Sequence, residues 1–223
     1  MQIITNFLNI GSRIIDLLFP EECVGCGAPK TILCVKCLAS VPEAREHEYN
    51  FVHSVFDYRH PFIKRAMWRF KYKNARGVAE IFGESLYNKI LDEFSDELSV
   101  SRKEKILIIP IPLHKSRLRE RGYNQSELLV KAIMKNDKSN MFELAPEALV
   151  RTRATKPQAR HENRSARQKN LTDAFFVPSP AKIRGRIVIL IDDVTTTGAT
   201  LQSAKHALTT AHPKKVLAFT VGH

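Results

Sequence analysis

The sequence predicts an α/β fold, in which a parallel sheet has helices on both faces and follows a small cysteine-rich module. Residues 187–191 are five consecutive apolar residues, a run typical of a strand that is covered on both faces. Asp192, Asp193 and a turn of small residues come next, and a helical pattern follows them. All four cysteines lie within residues 23–37. We therefore expect two units, residues 1–45 with the cysteines and residues 46–223 with the sheet.

The charge and the apolar content of the chain limit the classes of function. With 223 residues and 43% apolar content the chain can bury a full core. Its formal net charge of +12 favours polyanionic partners, either nucleic acid or a highly phosphorylated small molecule. No apolar run approaches the ~18 residues of a membrane span, so we expect no transmembrane segment.

The first residues have the pattern of an amphipathic helix. Apolar residues recur at helical spacing over residues 3–18, but polar residues interrupt them and no basic residue precedes them, which argues against a signal peptide. We expect a cytoplasmic protein whose first helix packs on the next module. Docking to a partner or to a membrane surface, such as the inner-membrane face, is the alternative.

The cysteines form two Cys-x-x-Cys pairs. Cys23 and Cys26 are separated by seven residues from Cys34 and Cys37. Four thiolates in this arrangement predict a tetrahedral Zn²⁺ site, and disulfides are the alternative. Since the chain shows no export signal, we expect a reducing compartment and therefore zinc. Four thiolates leave no open position, so the zinc would be structural.

The remaining patterns place strands and helices along the main domain. We expect helices over residues 62–72, 77–98 and 126–135. Strands are expected within residues 47–58, 105–111, 148–151, 175–177 and 216–221, in addition to the strand at 187–191.

The acids and the small-residue turn after residue 191 predict a grip on a phosphorylated ribose. A turn of small hydroxyl residues that opens a helix can direct several N–H groups and hydroxyls at one phosphate. Paired acids suit the two vicinal hydroxyls of a ribose, directly or through a divalent metal. A strand capped by surface acids and a Thr-rich N-cap is the plain alternative. The residues of this grip are Asp192, Asp193, Thr195, Thr196, Thr197, Gly198, Ala199 and Thr200.

Two basic tracts lie elsewhere in the main domain. Lys115, Arg117, Arg119 and Arg121 follow the strand that ends near Ile111, and we interpret them as a fixed basic loop that holds a pyrophosphate or as a solvated cluster. Residues 152–170 have almost no apolar residues and one acid, which indicates either a mobile loop over the ligand or a tract along a nucleic acid backbone.

Residues 62–72 alternate aromatic and cationic side chains. Such a pattern suits a groove for single-stranded nucleic acid, where rings stack on bases and cations follow phosphates. An amphipathic helix with Trp68 and Phe70 in the core is the alternative. The candidates for nucleic acid contact are Lys71, Arg151, Arg153, Lys156, Arg160 and Arg164.

The segment VILIDDVTTTGAT at residues 188–200 resembles the phosphoribosyl pyrophosphate loop of type I phosphoribosyltransferases. Three further features narrow the resemblance: the four cysteines, Arg-Gly-Tyr-Asn-Gln at 121–125 after Ile-Pro-Ile-Pro-Leu, and Arg151-x-Arg-x-Thr-x-x-Gln158 followed by Arg164 and Asn170. Together they resemble the competence protein F family over essentially the whole chain.

The resemblance implies a zinc ribbon in front of a type I phosphoribosyltransferase-like domain. It implies phosphoribosyl pyrophosphate with Mg²⁺ as ligand, held by Asp192 and Asp193 as the catalytic pair, with the pyrophosphate on Lys115, Arg117 and Arg121. It also implies a role in natural transformation with single-stranded DNA, a helicase-like translocator and recombination mediators as partners. Purine-salvage enzymes often carry an aspartate base where this chain has Thr196, and threonine cannot deprotonate a purine at neutral pH.

Three functions therefore stand open. The first is a competence protein that binds single-stranded DNA and carries a phosphoribosyl pyrophosphate pocket. The second is a Mg²⁺-dependent phosphoribosyltransferase that acts on a nucleobase or a related nitrogen acceptor. The third is a scaffold that recruits partners through the cysteine module and residues 3–18. We prefer the first and leave enzymatic activity open.

Overall fold

The computed structural model describes residues 21–72, 76–94, 104–152 and 174–223. The predicted helix at residues 3–18 lies outside these ranges. So do four of the expected nucleic acid contacts, Arg153, Lys156, Arg160 and Arg164.

The elements alternate between strands and helices along most of the main domain. A short helix, α1 (Val35–Ala39), lies in the cysteine module. The elements that follow are β1 (Val52–Phe56), α2 (Pro61–Tyr72), α3 (Arg76–Glu93), β2 (Ile106–Pro110), α4 (Lys115–Arg121), α5 (Gln125–Asn136), β3 (Phe142–Leu144), β4 (Val150–Arg151), β5 (Phe175–Phe176), β6 (Ile187–Val194), α6 (Ala199–Thr209) and β7 (Lys215–Gly222), with 3₁₀ turns at Pro146–Ala148 and Pro180–Lys182.

Five strands form a parallel sheet in the order β1-β7-β6-β2-β3. The register places Leu190 of β6 beside Ala218 of β7 and Ile109 of β2. Residues 188–191 of β6 have no exposed surface, because helices cover both faces of the sheet. The predicted α/β class and the predicted parallel sheet are therefore confirmed. A separate antiparallel pair is formed by β4 and β5.

Close helix packing covers one face of the sheet. The helices α3 and α5 lie against each other, and α3 packs against β7 while α5 packs against β6. They approach so closely that a Cβ atom at Gly83 would lie 2.3 Å from the Cβ atom of Ala132. Between the strands β1 and β7, the hydroxyls of Ser54 and Thr220 share a buried hydrogen bond of 2.7 Å. The core is thus densely packed from the edge strand to the outer helices.

The prediction of a basic loop at residues 115–121 was wrong, because these residues form the helix α4. His114 caps its start by accepting a hydrogen bond from the Ser116 N–H at 3.2 Å. Gly122 ends it in the left-handed conformation, with φ of 77°. The other boundaries shift less: the strand expected within residues 47–58 spans Val52–Phe56, and the edge strand β3 was not predicted.

Within the ranges that the structure describes, no helix combines the length and the apolar content that crossing a bilayer requires.

Candidate functional site

The two acids lie at the carboxyl end of β6, in the middle of the sheet. Asp192 Oδ1 accepts hydrogen bonds from Ser126 Oγ at 3.0 Å and from the Asp193 N–H at 2.9 Å. Burial, and after it the neighbouring charge of Asp193, raise the pKa of Asp192 to about 7. We call Asp192, Asp193 and the turn at residues 195–200 the acid-pair site. Two ionised carboxylates at this distance repel each other, so a neighbouring cation favours the ionised form of both.

Lys71 at the end of α2 supplies such a cation. Its Nζ lies 3.0 Å from Asp193 Oδ2, and the two side chains are 20% and 14% exposed. Lys71 was a candidate for nucleic acid contact, and the structure places it in the acid-pair site. The ion pair therefore joins α2 directly to the acids.

The turn after β6 contains a glycine, Gly198, at which a side chain would be strained. Gly198 has φ of 69°, and a Cβ atom there would lie 2.7 Å from His47 Cε1 and 2.8 Å from Tyr49 Cδ2. Thr195 is buried and its N–H donates to the Gly222 carbonyl at 3.0 Å, whereas Thr196 and Thr197 are exposed. Ala199 begins α6, so the unpaired N–H groups of its first turn meet the predicted phosphate turn.

Hydrogen bonds around Asn124 support the acid-pair site. The Asn124 side chain caps α5 by accepting from the Ser126 N–H at 3.1 Å, and it donates to the Ile111 carbonyl at 3.1 Å. The Tyr123 hydroxyl donates to the Phe70 carbonyl of α2. This network fixes Ser126 under Asp192 and ties α2, β2 and α5 together.

Two buried donors near Ser126 have no acceptor among the described residues. They are Arg121 Nε and Gln125 Nε2, although Arg121 Nη1 donates to Gln125 Oε1 at 3.1 Å. Buried donors without acceptors are rare and are typical of places where a ligand binds. Of the three cations expected to hold a pyrophosphate, Arg121 is therefore fixed in place, while Lys115 and Arg117 are exposed on α4.

Arg151, which was predicted to contact nucleic acid, interacts electrostatically with Asp192 of the acid pair. Burial lowers the pKa of its guanidinium, while the charge of Asp192 raises it and that of Arg117 lowers it. Its Nη1 also donates to the Pro112 carbonyl at 3.4 Å, beyond the end of β2. Arg151 thus contributes positive charge to the acid-pair site from the side of β2.

Sequence reasoning missed Ser126, His47 and Tyr49 as parts of the site. Ser126 directly follows the Arg-Gly-Tyr-Asn-Gln segment, and this position next to the motif was the signal that the sequence offered. His47 and Tyr49 contact Gly198 from a segment far away in the chain, and no local pattern marks them.

The four cysteines come together as one cluster. Their Sγ atoms all lie within 4.8 Å of one another, with 3.6 Å between Cys26 and Cys34, and all four are free thiols, so the alternative of disulfides was wrong. A tetrahedral metal with metal–sulfur bonds of about 2.3 Å separates its ligands by about 3.8 Å, close to the 3.6 Å between Cys26 and Cys34 and within the 4.8 Å that bounds the whole cluster. Burial raises the pKa of Cys37 to about 12. Burial also raises that of Cys23, but N–H groups of Cys34, Cys26 and Gly25 outweigh this and lower it to about 6.

The cysteine module docks on α2. Arg65 Nη1 donates to the Val24 carbonyl at 2.9 Å, and Arg69 Nη1 donates to the Glu22 carbonyl at 2.8 Å. A Cβ atom at Gly25 would lie 2.6 Å from Cys37 Sγ and 3.0 Å from Phe62. Two cations of the aromatic and basic helix therefore hold the module.

Sequence comparisons identify the relatives of this chain. The family described as "Phosphoribosyl transferase domain" matches residues 143–221. The competence protein ComFC of Bacillus subtilis is 30% identical over 190 residues, which cover 83% of this chain and 70% of that protein. This chain belongs to the competence protein F family. The DNA utilization protein YhgH of Escherichia coli K12, 29% identical over 182 residues, covers 80% of this chain and 74% of its own length.

A solved structure of the hypoxanthine phosphoribosyl transferase of Trypanosoma cruzi aligns with a TM-score of 0.41 and 12% identity, over 64% of this chain and 63% of that one. The match to the phosphoribosyl transferase domain covers β6, the acid pair and the predicted phosphate turn. The cysteine cluster lies outside the matched residues.

Proposed function

We propose that this protein is a cytoplasmic competence protein that binds single-stranded DNA beside a pocket for phosphoribosyl pyrophosphate. One observation carries the proposal: α2, the helix with exposed aromatic rings, is joined to the acid pair through Lys71 and Asp193. The names of the relatives, competence and DNA utilization proteins, support a role in natural transformation. A helicase-like translocator and recombination mediators are the proposed protein partners.

The acid-pair site fits a phosphorylated ribose in three respects. The left-handed glycine and the start of α6 form a turn in which a phosphate can accept hydrogen bonds from several N–H groups. Asp192 and Asp193 can accept hydrogen bonds from the ribose hydroxyls. The buried donors on Arg121 and Gln125, with Arg151 nearby, suit a pyrophosphate group.

Two metals belong to this proposal. Asp192 and Asp193 supply the carboxylate oxygens that Mg²⁺ prefers, and with the ligand bound Mg²⁺ would neutralise the charge of the pyrophosphate. The cysteine cluster offers four sulfur ligands at distances that suit Zn²⁺, which would hold the module without taking part in chemistry.

The DNA surface on α2 is proposed from its rings. Trp68 and Tyr72 are 53% and 56% exposed, and their ring centroids lie 6.0 Å apart. The Arg121 guanidinium lies 5.7 Å from the Tyr72 ring, so the rings lead from the cysteine module toward the acid-pair site. Phe70 is buried, so of the two aromatics considered for the core only Phe70 lies there. A groove of about 420 Å³ between α2 and the module is lined by Glu22, Cys23, Val24, Lys64, Arg65, Trp68 and Arg69.

The test measures the binding of a fluorescently labelled oligothymidylate by anisotropy, at low salt and at increasing salt. Base stacking on aromatic side chains contributes about 1–3 kcal/mol per base. We therefore expect Trp68→Ala combined with Tyr72→Ala to weaken binding at least tenfold. Affinity should also fall steeply with salt.

The matched control is Phe176→Ala, because Phe176 on β5 is as exposed as Tyr72. It should keep wild-type affinity within about twofold. Absence of any anisotropy change at low salt would refute DNA binding. Calorimetry with phosphoribosyl pyrophosphate and Mg²⁺ tests the pocket separately, and Asp193→Asn should abolish that binding.

The second candidate is a phosphoribosyltransferase, favoured by the buried donors on Arg121 and Gln125 that have no acceptor among the described residues. Such a site would act by positioning the ligand and stabilising the charge of the departing pyrophosphate. Thr196 is exposed and cannot act as a general base, so the acceptor would need no deprotonation by the turn. Pyrophosphate release measured over a panel of nucleobases decides between a binding protein and an enzyme.

A further inference from the structure

A second cavity adjoins the predicted phosphate turn on the side of β7, away from Arg121 and Arg151. Its volume is about 240 Å³, and its walls follow the carboxyl ends of β1, β6 and β7, which are neighbours in the sheet. Thr195 and Thr196 of the turn form one wall, so this cavity and the acid-pair site share the turn. Its lining residues are Arg45, Asp57, Tyr58, Arg59, Thr195, Thr196 and His223.

Backbone hydrogen bonds fix these walls in place. The Tyr58 N–H donates to the His223 carbonyl at 2.9 Å, and the Thr195 N–H donates to the Gly222 carbonyl at 3.0 Å. The Arg59 N–H donates to Asp57 Oδ1 at 2.7 Å, which holds the turn after β1. The cavity therefore exists before any ligand enters it.

The polar groups of the cavity favour an anion. Two arginines, Arg45 and Arg59, and a single acid, Asp57, line the cavity, and across the described ranges neither arginine forms an ion pair. Guanidinium groups bind planar carboxylates through two parallel hydrogen bonds. The hydroxyls of Thr195 and Thr196 add two further donors.

A histidine of the cavity wall, His223, is paired with His47, which lies next to Gly198. The ring of His47 lies 4.5 Å from that of His223, and His47 Nδ1 accepts from the Tyr49 N–H at 3.1 Å. Burial lowers the pKa of His47, so the neutral ring carries its proton on Nε2. That buried Nε2 has no acceptor within the part of the chain that the structure describes. The neighbourhood of the cavity thus has an excess of hydrogen-bond donors.

The volume and the balance of charge select the ligand. The cavity is smaller than the roughly 300–1,000 Å³ of drug-sized sites, so one ring with one charged group fits it. Asp57 in the wall disfavours a doubly charged phosphate more than a singly charged carboxylate. We propose that this cavity binds a small aromatic carboxylate beside the phosphoribose. The proposal rests on the proposed phosphoribose site, whose turn it shares.

The experiment compares benzoate, benzamide and phenyl phosphate by ligand-observed NMR titration of the full chain. We expect benzoate to bind at least tenfold more tightly than benzamide, which has the same ring without the charge. Arg45→Ala combined with Arg59→Ala should weaken benzoate binding at least tenfold. Asp57→Asn should strengthen it about threefold, which gives a readout in the opposite direction.

Arg184→Ala is the matched control, since Arg184 is exposed just before the amino end of β6, at the opposite end of the strands from the cavity. It should bind benzoate like the wild type. Equal binding of benzoate and benzamide, or tighter binding of phenyl phosphate than of benzoate, overturns the proposal.

Phosphoribosyl pyrophosphate binding is measured on the same proteins by calorimetry, which separates the two proposals. If the wild type binds phosphoribosyl pyrophosphate but not benzoate, the carboxylate cavity is refuted and the phosphoribose site stands. If it binds benzoate selectively but not phosphoribosyl pyrophosphate, the cavity stands and the proposed function fails. The paired arginine variant should retain phosphoribosyl pyrophosphate binding.

Discussion

The cysteine module and the sheet differ in how many apolar residues they bury. The module, residues 21–41, buries only Val24, Ile32, Leu33 and Val41 besides Cys23 and Cys37. The sheet domain buries whole strands, including residues 106–109 and 188–191. Small modules with so little apolar surface generally need a metal, whereas the sheet needs close packing. We therefore expect the stability of the module to depend on its four sulfur atoms and the stability of the sheet to depend on the packing of its core.

Removal of one sulfur should have the largest effect and should affect the module alone. Structural zinc contributes about 10–16 kcal/mol of apparent binding free energy in small zinc modules. We expect Cys37→Ser to lose bound metal and to abolish amide protection over residues 21–41, while protection of β2, β6 and β7 persists. Hydrogen exchange and metal analysis measure both effects.

Val35→Ala is the control for this variant, because Val35 is 81% exposed within α1 of the same module. It should retain the metal. If Cys37→Ser unfolds the sheet as well, the two regions are one cooperative unit and the comparison fails.

In the sheet domain, the largest effect should come from overpacking between α3 and α5. Alanine at Gly83 gains helix propensity of about 1 kcal/mol, but its Cβ would clash with Ala132 at 2.3 Å. Overpacked cores lose about 1–3 kcal/mol. We expect Gly83→Ala to destabilise the protein by about 2 kcal/mol in urea unfolding.

Gly77→Ala in the same helix is the matched comparison. Among the described residues, its Cβ would meet nothing closer than a Glu21 oxygen at 3.6 Å, which is ordinary contact. It should therefore leave stability unchanged or raise it by up to about 1 kcal/mol. Equal effects of the two substitutions would show that propensity, and not packing, decides the stability of α3.

The same contrast explains what the sequence could predict. The buried run at 188–191, the acids after it and the cysteine spacing are local patterns, and each was found in the predicted place. The helix α4 was missed because Leu118 is its only apolar residue and all the others are polar or charged. It therefore has no apolar periodicity. Its formation depends on the cap at His114 and the stop at Gly122.

Long-range contacts within the site were out of reach for another reason. The pairing of Lys71 with Asp193 and the contact of Gly198 with His47 join segments that only the folded sheet brings together. Sequence reasoning named Lys71 and Gly198 but could not name what they touch. Composition and spacing identify such residues, whereas tertiary structure determines their partners.

A smaller effect is expected at Asp192, because burial destabilises its ionised carboxylate. Because burial holds the pKa of Asp192 near 7, the folded protein keeps a proton there at pH values where the unfolded chain has lost it. The contribution of this group to stability is present below about pH 4 and is lost as the pH rises through 7. We expect Asp192→Asn to stabilise the protein by on the order of 1–2 kcal/mol at pH 8, and hardly at pH 4, in urea unfolding. Asp92→Asn, at an exposed position of α3, should show no such gain.

Ser126→Ala should change stability in the opposite direction from Asp192→Asn. The Ser126 hydroxyl donates to Asp192 Oδ1 and lowers the pKa of that carboxyl, so its removal leaves the ionised form less well solvated. We expect a loss of about 1 kcal/mol at pH 8 and a smaller loss at pH 5, where Asp192 is protonated. In the background of Asp192→Asn the loss at pH 8 should shrink, because the carboxylate that the hydroxyl serves is gone. An equal loss at both pH values and in both backgrounds would mean that Ser126 only fills space under the sheet.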